Sequence, residues 1–120
     1  MLIVEDEYFV ATAAEAALVD AGYHVVDMAA TADEAVALAE RLRPDIVLMD
    51  IRLRAERDGI DAASAIRERF GIPTLFATAH GDSNTRRLGE AARPIGWLFK
   101  PYTPTQVVAA VQIAVRRMRG

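Results

Sequence analysis

Side chains that could bind a metal ion or transfer a chemical group follow the apolar runs of this sequence. Glu5 and Asp6 come directly after the first run, and Asp50 follows the third. Thr78 comes after the fourth run and Lys100 after the fifth. Oxygen ligands without a nearby His or Cys favour Mg²⁺ or a similar divalent ion. A divalent ion, a carboxylate nucleophile, a hydroxyl and an ammonium together suit the transfer of a phosphoryl group.

Each of these residues also has an ordinary structural interpretation when it is taken alone. Glu5 and Asp6 could form the acidic first turn of a helix, which the helix dipole favours. Thr78 could simply end a strand, and Lys100 could be a solvated charge. Asp50 is harder to dismiss, because an acid that ends a buried strand must be solvated or paired. The functional interpretation depends on all of them following strands in order along the chain.

Short apolar runs alternate with longer amphipathic stretches, which predicts a strand followed by a helix five times over. The predicted strands are Leu2–Val4, Tyr23–Met28, Asp45–Met49, Thr74–Ala77 and Gly96–Phe99. This order predicts an α/β fold with a parallel sheet and helices on both faces, and right-handed crossovers restrict it to a doubly wound topology. For five strands and five helices we expect the flavodoxin-like strand order 2-1-3-4-5, in which ligands bind beyond the carboxyl ends of the strands.

The segments between the strands show where the helices begin and end. Capping boxes are predicted at the start of the second and the fifth helix, Thr31 with Glu34 and Thr103 with Gln106. Gly22 is expected to end the first helix. Residues 82–92 give the weakest helical pattern, and Pro94 is expected to end that helix early. Because Tyr23–Met28 contains two charged or ionisable residues, we expect this strand to lie nearer an edge of the sheet.

Length and composition favour one globular domain. The chain has 120 residues, enough for one hydrophobic core, and we expect a single domain over residues 1–120. The net charge of -3 does not indicate a nucleic-acid surface, and Arg116, Arg117 and Arg119 fit the last turn of a helix. No apolar stretch is long enough to span a bilayer, and the start is not a secretory signal, so we expect a cytoplasmic protein.

Six short strings of the sequence, each weak when taken alone, form a specific set when they are read in order. They are Ile3–Glu7, Ala21–Tyr23, Pro44–Leu53, Asp58–Ile60, Thr78–Ala79 and Leu98–Tyr102. Through them the chain resembles the receiver domain of bacterial response regulators over nearly all of its length. The resemblance implies a phosphorylatable switch that takes a phosphoryl group from the phosphohistidine of a sensor histidine kinase or phosphotransfer protein.

The resemblance also implies a phosphoacceptor and a magnesium site. Asp50 matches the aspartate whose carboxylate attacks phosphorus, so it would be the phosphorylated residue. Asp6 matches the acid that binds Mg²⁺ directly, and Glu5 matches the acid that acts through a metal-bound water. Asp50 and the backbone carbonyl of Arg52 would complete the protein ligands. Arg52 and His80 flank the mouth of the site in the family, and we hypothesise that they affect access of the hydrolytic water.

Three further positions match the residues that respond to the phosphoryl group in the family. Lys100 would hold a phosphoryl oxygen and pair with the acids at rest, and its peptide bond to Pro101 would be cis. Thr78 would be the switch hydroxyl, which moves to hydrogen-bond the phosphoryl group. Trp97 has the position of the switch aromatic, usually Tyr or Phe, and its indole N–H needs a partner if it is buried. Trp97 would therefore rotate within limits, stay outward as a contact residue, or be a fixed, half-buried surface aromatic.

The resemblance extends to the output of the switch. Phosphorylation would change the face formed by the fourth and fifth helices and the fifth strand, and a homodimer would use the fourth and fifth helices. Direct binding of nucleic acid or of a membrane by this domain is not expected. The receiver would catalyse only its own phosphorylation and slow dephosphorylation, and it would not be a metabolic enzyme.

Three other functions were compatible with parts of the sequence. A flavin-binding electron carrier of the same fold needs a phosphate-binding loop after the first strand, whereas Glu5–Glu7 would repel a phosphate. A phosphohydrolase with an aspartyl intermediate usually has a second acid two residues after the nucleophile, where this chain has Arg52. A degenerate receiver that acts only as a scaffold is disfavoured by the complete set of acids, Thr78 and Lys100.

Overall fold

The computed structural model describes residues 1–53, 58–79, 81 and 83–119. The strands are β1 (Leu2–Val4), β2 (Asp27–Ala29), β3 (Val47–Asp50), β4 (Thr74–Ala79) and β5 (Gly96–Lys100). The helices are α1 (Tyr8–Asp20), α2 (Ala32–Leu42), α3 (Asp58–Phe70), α4 (Ser83–Gly89) and α5 (Pro104–Arg119), and a 3₁₀ turn (Glu90–Ala92) follows α4. His80, for which a role in hydrolysis was hypothesised, lies outside the described residues.

The five strands form one parallel sheet in the order β2-β1-β3-β4-β5, so the predicted doubly wound, flavodoxin-like α/β fold is confirmed. Val4 at the end of β1 pairs with Met49. Asp50, the next residue of β3, pairs with Ala77 in β4. Ala79 at the end of β4 pairs with Lys100. The carboxyl ends of the four strands β1, β3, β4 and β5 therefore lie along one edge of the sheet.

Hydrophobic clusters cover both faces of the sheet. On one face α1 packs against α5, and on the other α2 packs against α3. Successive residues of the central strand alternate between the faces, since Val47 and Met49 belong to one cluster and Ile46 and Leu48 to the other. Side chains of a strand that is covered on both sides must be apolar in both directions. The continuous apolar runs of the sequence have this cause.

The predicted bounds of the second strand were wrong. Tyr23–Met28 was expected, whereas β2 comprises Asp27–Ala29 at the edge of the sheet. The amide of Tyr23 still donates to the Leu18 carbonyl at the end of α1. The next residues contact the start of the chain, because the amide of Val26 donates to the Met1 carbonyl. Tyr23, Val25 and Val26 are thus apolar because they pack on the core, and only the edge position of the strand was predicted correctly.

The predicted helix at residues 82–92 is divided into α4 and the 3₁₀ turn. The chain leaves the helical conformation at Arg93, which has a left-handed φ of 52°. Pro94 follows directly and cannot continue a helix, so the early end is confirmed.

The predicted capping box of α5 is present, whereas at α2 Thr31 caps the helix but Glu34 bonds the preceding amide, that of Ala30. Thr103 Oγ1 accepts from the Gln106 amide at 3.1 Å, and Gln106 Oε1 accepts from the Thr103 amide at 2.9 Å. At α2, Thr31 Oγ1 accepts from the Glu34 amide at 3.1 Å, while the Glu34 carboxylate accepts from the amide of Ala30. Among the described helices, none combines the length and the hydropathy needed to cross a bilayer.

Candidate functional site

Three carboxylates meet at the carboxyl-end edge of the sheet. Glu5 and Asp6 follow β1, and Asp50 ends β3. One oxygen from each of the three lies within 4.8 Å of the other two. Glu5 and Asp50 are each only 6% exposed, whereas Asp6 is exposed. The cluster is therefore buried on one side and open to solvent on the other.

Lys100 places an ammonium between two of these acids. Its Nζ lies 2.8 Å from Glu5 Oε1 and 3.3 Å from Asp50 Oδ2. Lys100 ends β5, and its peptide bond to Pro101 is cis, as the resemblance implied. The pairing at rest that the sequence suggested is present in the geometry.

The electrostatics of the cluster show an excess of negative charge. Burial raises the pKa of Glu5, and the hydrogen bond from Lys100 offsets this only in part. Burial and then the neighbouring Glu5 raise the pKa of Asp6. Burial alone would lower the pKa of Lys100, but the hydrogen bond to Glu5 and the charges of both buried acids raise it well above its ordinary range. Burial and the Glu5 charge also raise the pKa of Tyr102 to about 12.

The donor set fits a hard divalent cation. All three groups are carboxylates, and Mg²⁺ prefers oxygen ligands and retains several waters. Lys100 supplies one positive charge to three acids, so a further cation would relieve the repulsion that raises the Asp6 pKa. Exposed Asp6 leaves room for the retained waters on the solvent side.

Backbone contacts hold Asp50 in place. The amide of Arg52 donates to Asp50 Oδ1 at 3.2 Å. The first turn of α3 lies directly against this loop, where the amide of Gly59 donates to the Ile51 carbonyl at 2.9 Å. A Cβ on Gly59 would lie 2.6 Å from Ile51 Cα and 2.7 Å from its carbonyl oxygen, so the close approach requires a glycine.

Thr78 lies at the same edge of the sheet. It follows Ala77, which pairs with Asp50, and it pairs with Phe99, the residue before Lys100. Its side chain is buried, with 5% of the residue exposed. The register therefore places a hydroxyl between the strands that end in Asp50 and Lys100.

Trp97 is half-buried between β4, β5 and α4. Its ring lies 5.3 Å from that of Phe76, and its Nε1 donates to Glu90 Oε1 at 3.2 Å. The guanidinium of Arg86 lies 5.3 Å from the indole centroid. A Cβ on Gly89 would lie 2.6 Å from the tip of the indole, so the absence of a side chain in α4 makes room for the ring. The expected partner for the indole N–H is thus present.

Two residues that contact this region were not among the predicted site residues. Thr85 in α4 is 1% exposed and accepts from Arg52 Nη2 at 3.3 Å. Gly89 leaves the space that the indole of Trp97 occupies. A glycine inside a short, weak helical pattern was the one available signal, since it is unfavourable there without a packing reason.

Comparison with known proteins identifies the family. Residues 1–112 match the family model of the response regulator receiver domain. The chain is 35% identical over 119 residues to the transcriptional regulatory protein PdtaR of Mycobacterium tuberculosis, with 99% of this chain and 58% of that protein covered. The chain thus spans about half the length of the curated relatives it matches.

Solved structures agree with this match. The signal receiver domain of a modulated diguanylate cyclase from Desulfovibrio desulfuricans superimposes with a TM-score of 0.87 at 31% identity, covering 98% of this chain and 94% of that one. The chemotaxis response regulator CheY4 of Vibrio cholerae has a TM-score of 0.84 at 28% identity, covering 94% and 95%.

Receiver domains are signalling switches that generally use Mg²⁺ and interact with histidine kinases or phosphotransfer proteins. The fold, the acidic cluster and the matched residues all agree with that description. This chain belongs to the response regulator receiver domain family.

Proposed function

We propose that residues 1–120 act as one receiver domain that accepts a phosphoryl group on Asp50 from a phosphohistidine of a sensor kinase or phosphotransfer protein. The observation that supports this most strongly is the pairing of the Asp50 carboxylate with Lys100 inside a cluster of three acids. A buried acid next to an ammonium, at the edge where such sheets bind ligands, is poised for phosphoryl chemistry.

The proposed reaction uses few groups of the protein. One Asp50 carboxylate oxygen attacks phosphorus, so an O–P bond forms while the N–P bond to the histidine breaks and its electron pair stays on the imidazole nitrogen. Lys100 Nζ, which lies 3.3 Å from Asp50 Oδ2, then pairs with a phosphoryl oxygen. The amide of Arg52 orients the carboxylate by donating to Oδ1.

Glu5, Asp6, Asp50 and the carbonyl of Arg52 would hold Mg²⁺. When bound, the ion supplies positive charge that offsets the charge of the phosphoryl oxygens. Glu5 and Asp6 can take this role because their carboxylates face Asp50 within 4.8 Å. Thr78 would donate its hydroxyl to the phosphoryl group, since the register places it next to the strands of Asp50 and Lys100.

The test is phosphorylation by a small donor. Wild type, Asp50→Asn and Asp45→Asn are incubated with Mg²⁺ and acetyl phosphate, and the intact mass of each protein is measured. Asp45 is an exposed acid just before the same strand, which makes it a matched control. One phosphoryl adduct is expected on wild type and Asp45→Asn and none on Asp50→Asn. An adduct that persists in Asp50→Asn would refute the assignment.

The face of α4, β5 and α5 is the proposed output surface, either for a partner or for a second copy. Arg86 lies over both Trp97 and Phe99 on this face, at 5.3 and 5.5 Å from the ring centroids. Ile113 of α5 is 49% exposed nearby and could be covered in a complex.

Light scattering after gel filtration tests the homodimer. Acetyl phosphate should increase the dimer fraction of wild type but not of Ile113→Glu. Val19→Glu is the control, because Val19 is similarly exposed, at 53%, but lies on α1. A mass that stays monomeric in phosphorylated wild type would contradict the dimer.

A further inference from the structure

A contact between side chains joins the loop after Asp50 to α4. Arg52 Nη2 donates to Thr85 Oγ1 at 3.3 Å, across 33 positions of sequence. Thr85 is 1% exposed, so the hydroxyl that accepts this bond lies inside the protein, while Arg52 is exposed. The backbone amide of the same arginine donates to Asp50 Oδ1. One residue therefore contacts both the phosphoacceptor and α4.

Side-chain contacts near both ends of α4 help to hold this helix in place. Among the described elements, its main backbone contacts are with the adjoining 3₁₀ turn, whereas α2 and α3 pack along each other. At the end of α4, Gly89 receives the tip of the Trp97 indole, and Glu90 accepts from its Nε1. Nearer the start, Thr85 accepts from Arg52. Losing either contact would leave a short helix with less to hold it.

We propose that Arg52 is a positioning residue that holds α4 at rest and exchanges Thr85 for the phosphoryl group when Asp50 is phosphorylated. This inference rests on the proposed function. A guanidinium can bind the oxygens of an anionic phosphoryl group through two parallel N–H···O bonds with opposite charges on the two partners, whereas Thr85 offers a single neutral hydroxyl. The backbone amide of Arg52 contacts the carboxylate that would carry the phosphoryl group, so the proposal requires only that the long side chain turns from Thr85 toward that group.

The exchange would release α4 near its start. This route to the output face differs from the one through Thr78, because it begins at the loop after β3 and acts directly on α4. The chain's single tryptophan is Trp97, which contacts the end of α4, so its emission reports movement of this helix.

The resting contact is tested without a phosphodonor, by hydrogen exchange of the α4 amides in Thr85→Val and Arg52→Gln. Loss of one hydrogen bond to a charged donor should accelerate this exchange about tenfold in each variant. Thr85→Ser keeps the hydroxyl and should restore the wild-type rate. Unchanged exchange in both Thr85→Val and Arg52→Gln would overturn the proposal.

Two control variants distinguish loss of the hydrogen bond between Arg52 and Thr85 from a general destabilisation of the protein. Thr105→Val removes an exposed hydroxyl from α5, and Arg87→Gln removes a guanidinium from the exposed side of α4; neither should change the exchange as Thr85→Val does. Each single variant already removes the hydrogen bond between Arg52 and Thr85, so in the double variant the two effects on the exchange rate should be less than additive. Fully additive effects would show that the two residues act separately.

The proposed movement of Arg52 from Thr85 to the phosphoryl group is tested with acetyl phosphate and Mg²⁺. Phosphorylated wild type should show faster α4 exchange and a shifted Trp97 emission, whereas Arg52→Gln should show little further change although its intact mass includes the phosphoryl group. If phosphorylation changed Arg52→Gln as much as wild type, Arg52 would not move from Thr85 to the phosphoryl group, and this part of the proposal would be overturned. A wild type without any phosphoryl adduct would refute the proposed function instead, and the resting contact would still be decided by the variants above.

Discussion

The amino ends and the carboxyl ends of the parallel strands differ in how their charged groups are paired. At the amino-end edge, charged groups find structural partners: the Met1 ammonium donates to the His24 carbonyl at 2.6 Å, and Arg117 donates to the Ile95 carbonyl at 2.8 Å. At the carboxyl-end edge, three carboxylates converge on a single lysine.

This difference shows which edge is arranged for chemistry. Stability alone would not select an arrangement in which burial and mutual repulsion raise the pKa of both Glu5 and Asp6. Substitutions at the carboxyl-end edge are therefore expected to change the free energy of unfolding differently from substitutions at the amino-end edge. Four comparisons of variants test this contrast.

The largest effect is expected at two glycines at opposite ends of α3, one in its first turn and one directly after it. Gly59→Ala should lower the free energy of unfolding by about 3 kcal/mol, because its Cβ would overlap backbone atoms of Ile51. At the amino-end edge, a Cβ on Gly71 would meet no atom within 4 Å. Gly71→Ala should therefore lower the free energy of unfolding only through the left-handed φ of 71°, by about 1 kcal/mol. Urea unfolding measures both. Equal losses would mean that the loop after Asp50 is not closely packed on α3.

The second comparison concerns a buried and an exposed ion pair. Lys100→Met should cost about 2 kcal/mol at pH 7, less than for a fully buried pair because Lys100 is 23% exposed. Arg69→Met breaks the ion pair with Glu40, in which the two side chains are 55% and 58% exposed. This loss should cost at most about 0.5 kcal/mol.

The loss in Lys100→Met should depend on pH. Burial already raises the pKa of Glu5 above 4.5 in the wild type, although Lys100 lowers it in part, so some stability is lost as the pH rises from 4.5 through the folded pKa. Without Lys100 the Glu5 pKa should rise further, and this loss should become larger. The raised pKa of Lys100 keeps its ammonium charged over this pH range, so the wild type loses less stability than Lys100→Met. Thermal unfolding between pH 4 and 8 measures this. A loss that does not change with pH would contradict the electrostatic explanation.

A smaller effect of opposite sign is expected at the amino-end edge. Thr74, at the start of β4, is 2% exposed, and its Oγ1 has no hydrogen-bond partner among the described residues. Thr74→Val keeps the shape and removes the unpaired hydroxyl, so it should raise the free energy of unfolding by about 1 kcal/mol. Phosphorylation of Asp50 should be unaffected. A loss of stability in urea would mean that the hydroxyl has a partner after all.

The smallest effect is expected at Asp6. Asp6→Asn should raise the free energy of unfolding by about 0.5 kcal/mol without Mg²⁺, because it removes a screened repulsion with Glu5. Mg²⁺ should raise the melting temperature of wild type, and it should raise that of Asp6→Asn much less. Asp33→Asn, in the first turn of α2, should instead lower stability slightly and keep the response to Mg²⁺. An unchanged Mg²⁺ response in Asp6→Asn would remove Asp6 from the proposed ion site.

Much of the fold could be predicted because strands covered on both faces need continuous apolar runs. The same rule failed before β2, where Tyr23, Val25 and Val26 pack on the core although they do not form a strand. The caps at Thr31 and Thr103 could be predicted because the threonine and the amide that it accepts from lie within one turn.

The positions of the three acids and Lys100 relative to one another could be predicted, because each of these residues ends or directly follows a strand. The contact between Arg52 and Thr85 could not, since it joins positions far apart with no periodic pattern between them. The need of Trp97 for a hydrogen-bond partner was predictable from its indole, but the identity of Glu90 depended on the 3₁₀ turn that follows α4.

The most direct test of the central claim is to locate the phosphoryl group chemically. After reaction with acetyl phosphate and Mg²⁺, reduction with borohydride converts an aspartyl phosphate to homoserine, and peptide mapping locates it. We predict homoserine at position 50 and an unmodified Asp6 and Asp45. Homoserine at another acid, with Asp50 intact, would contradict the account.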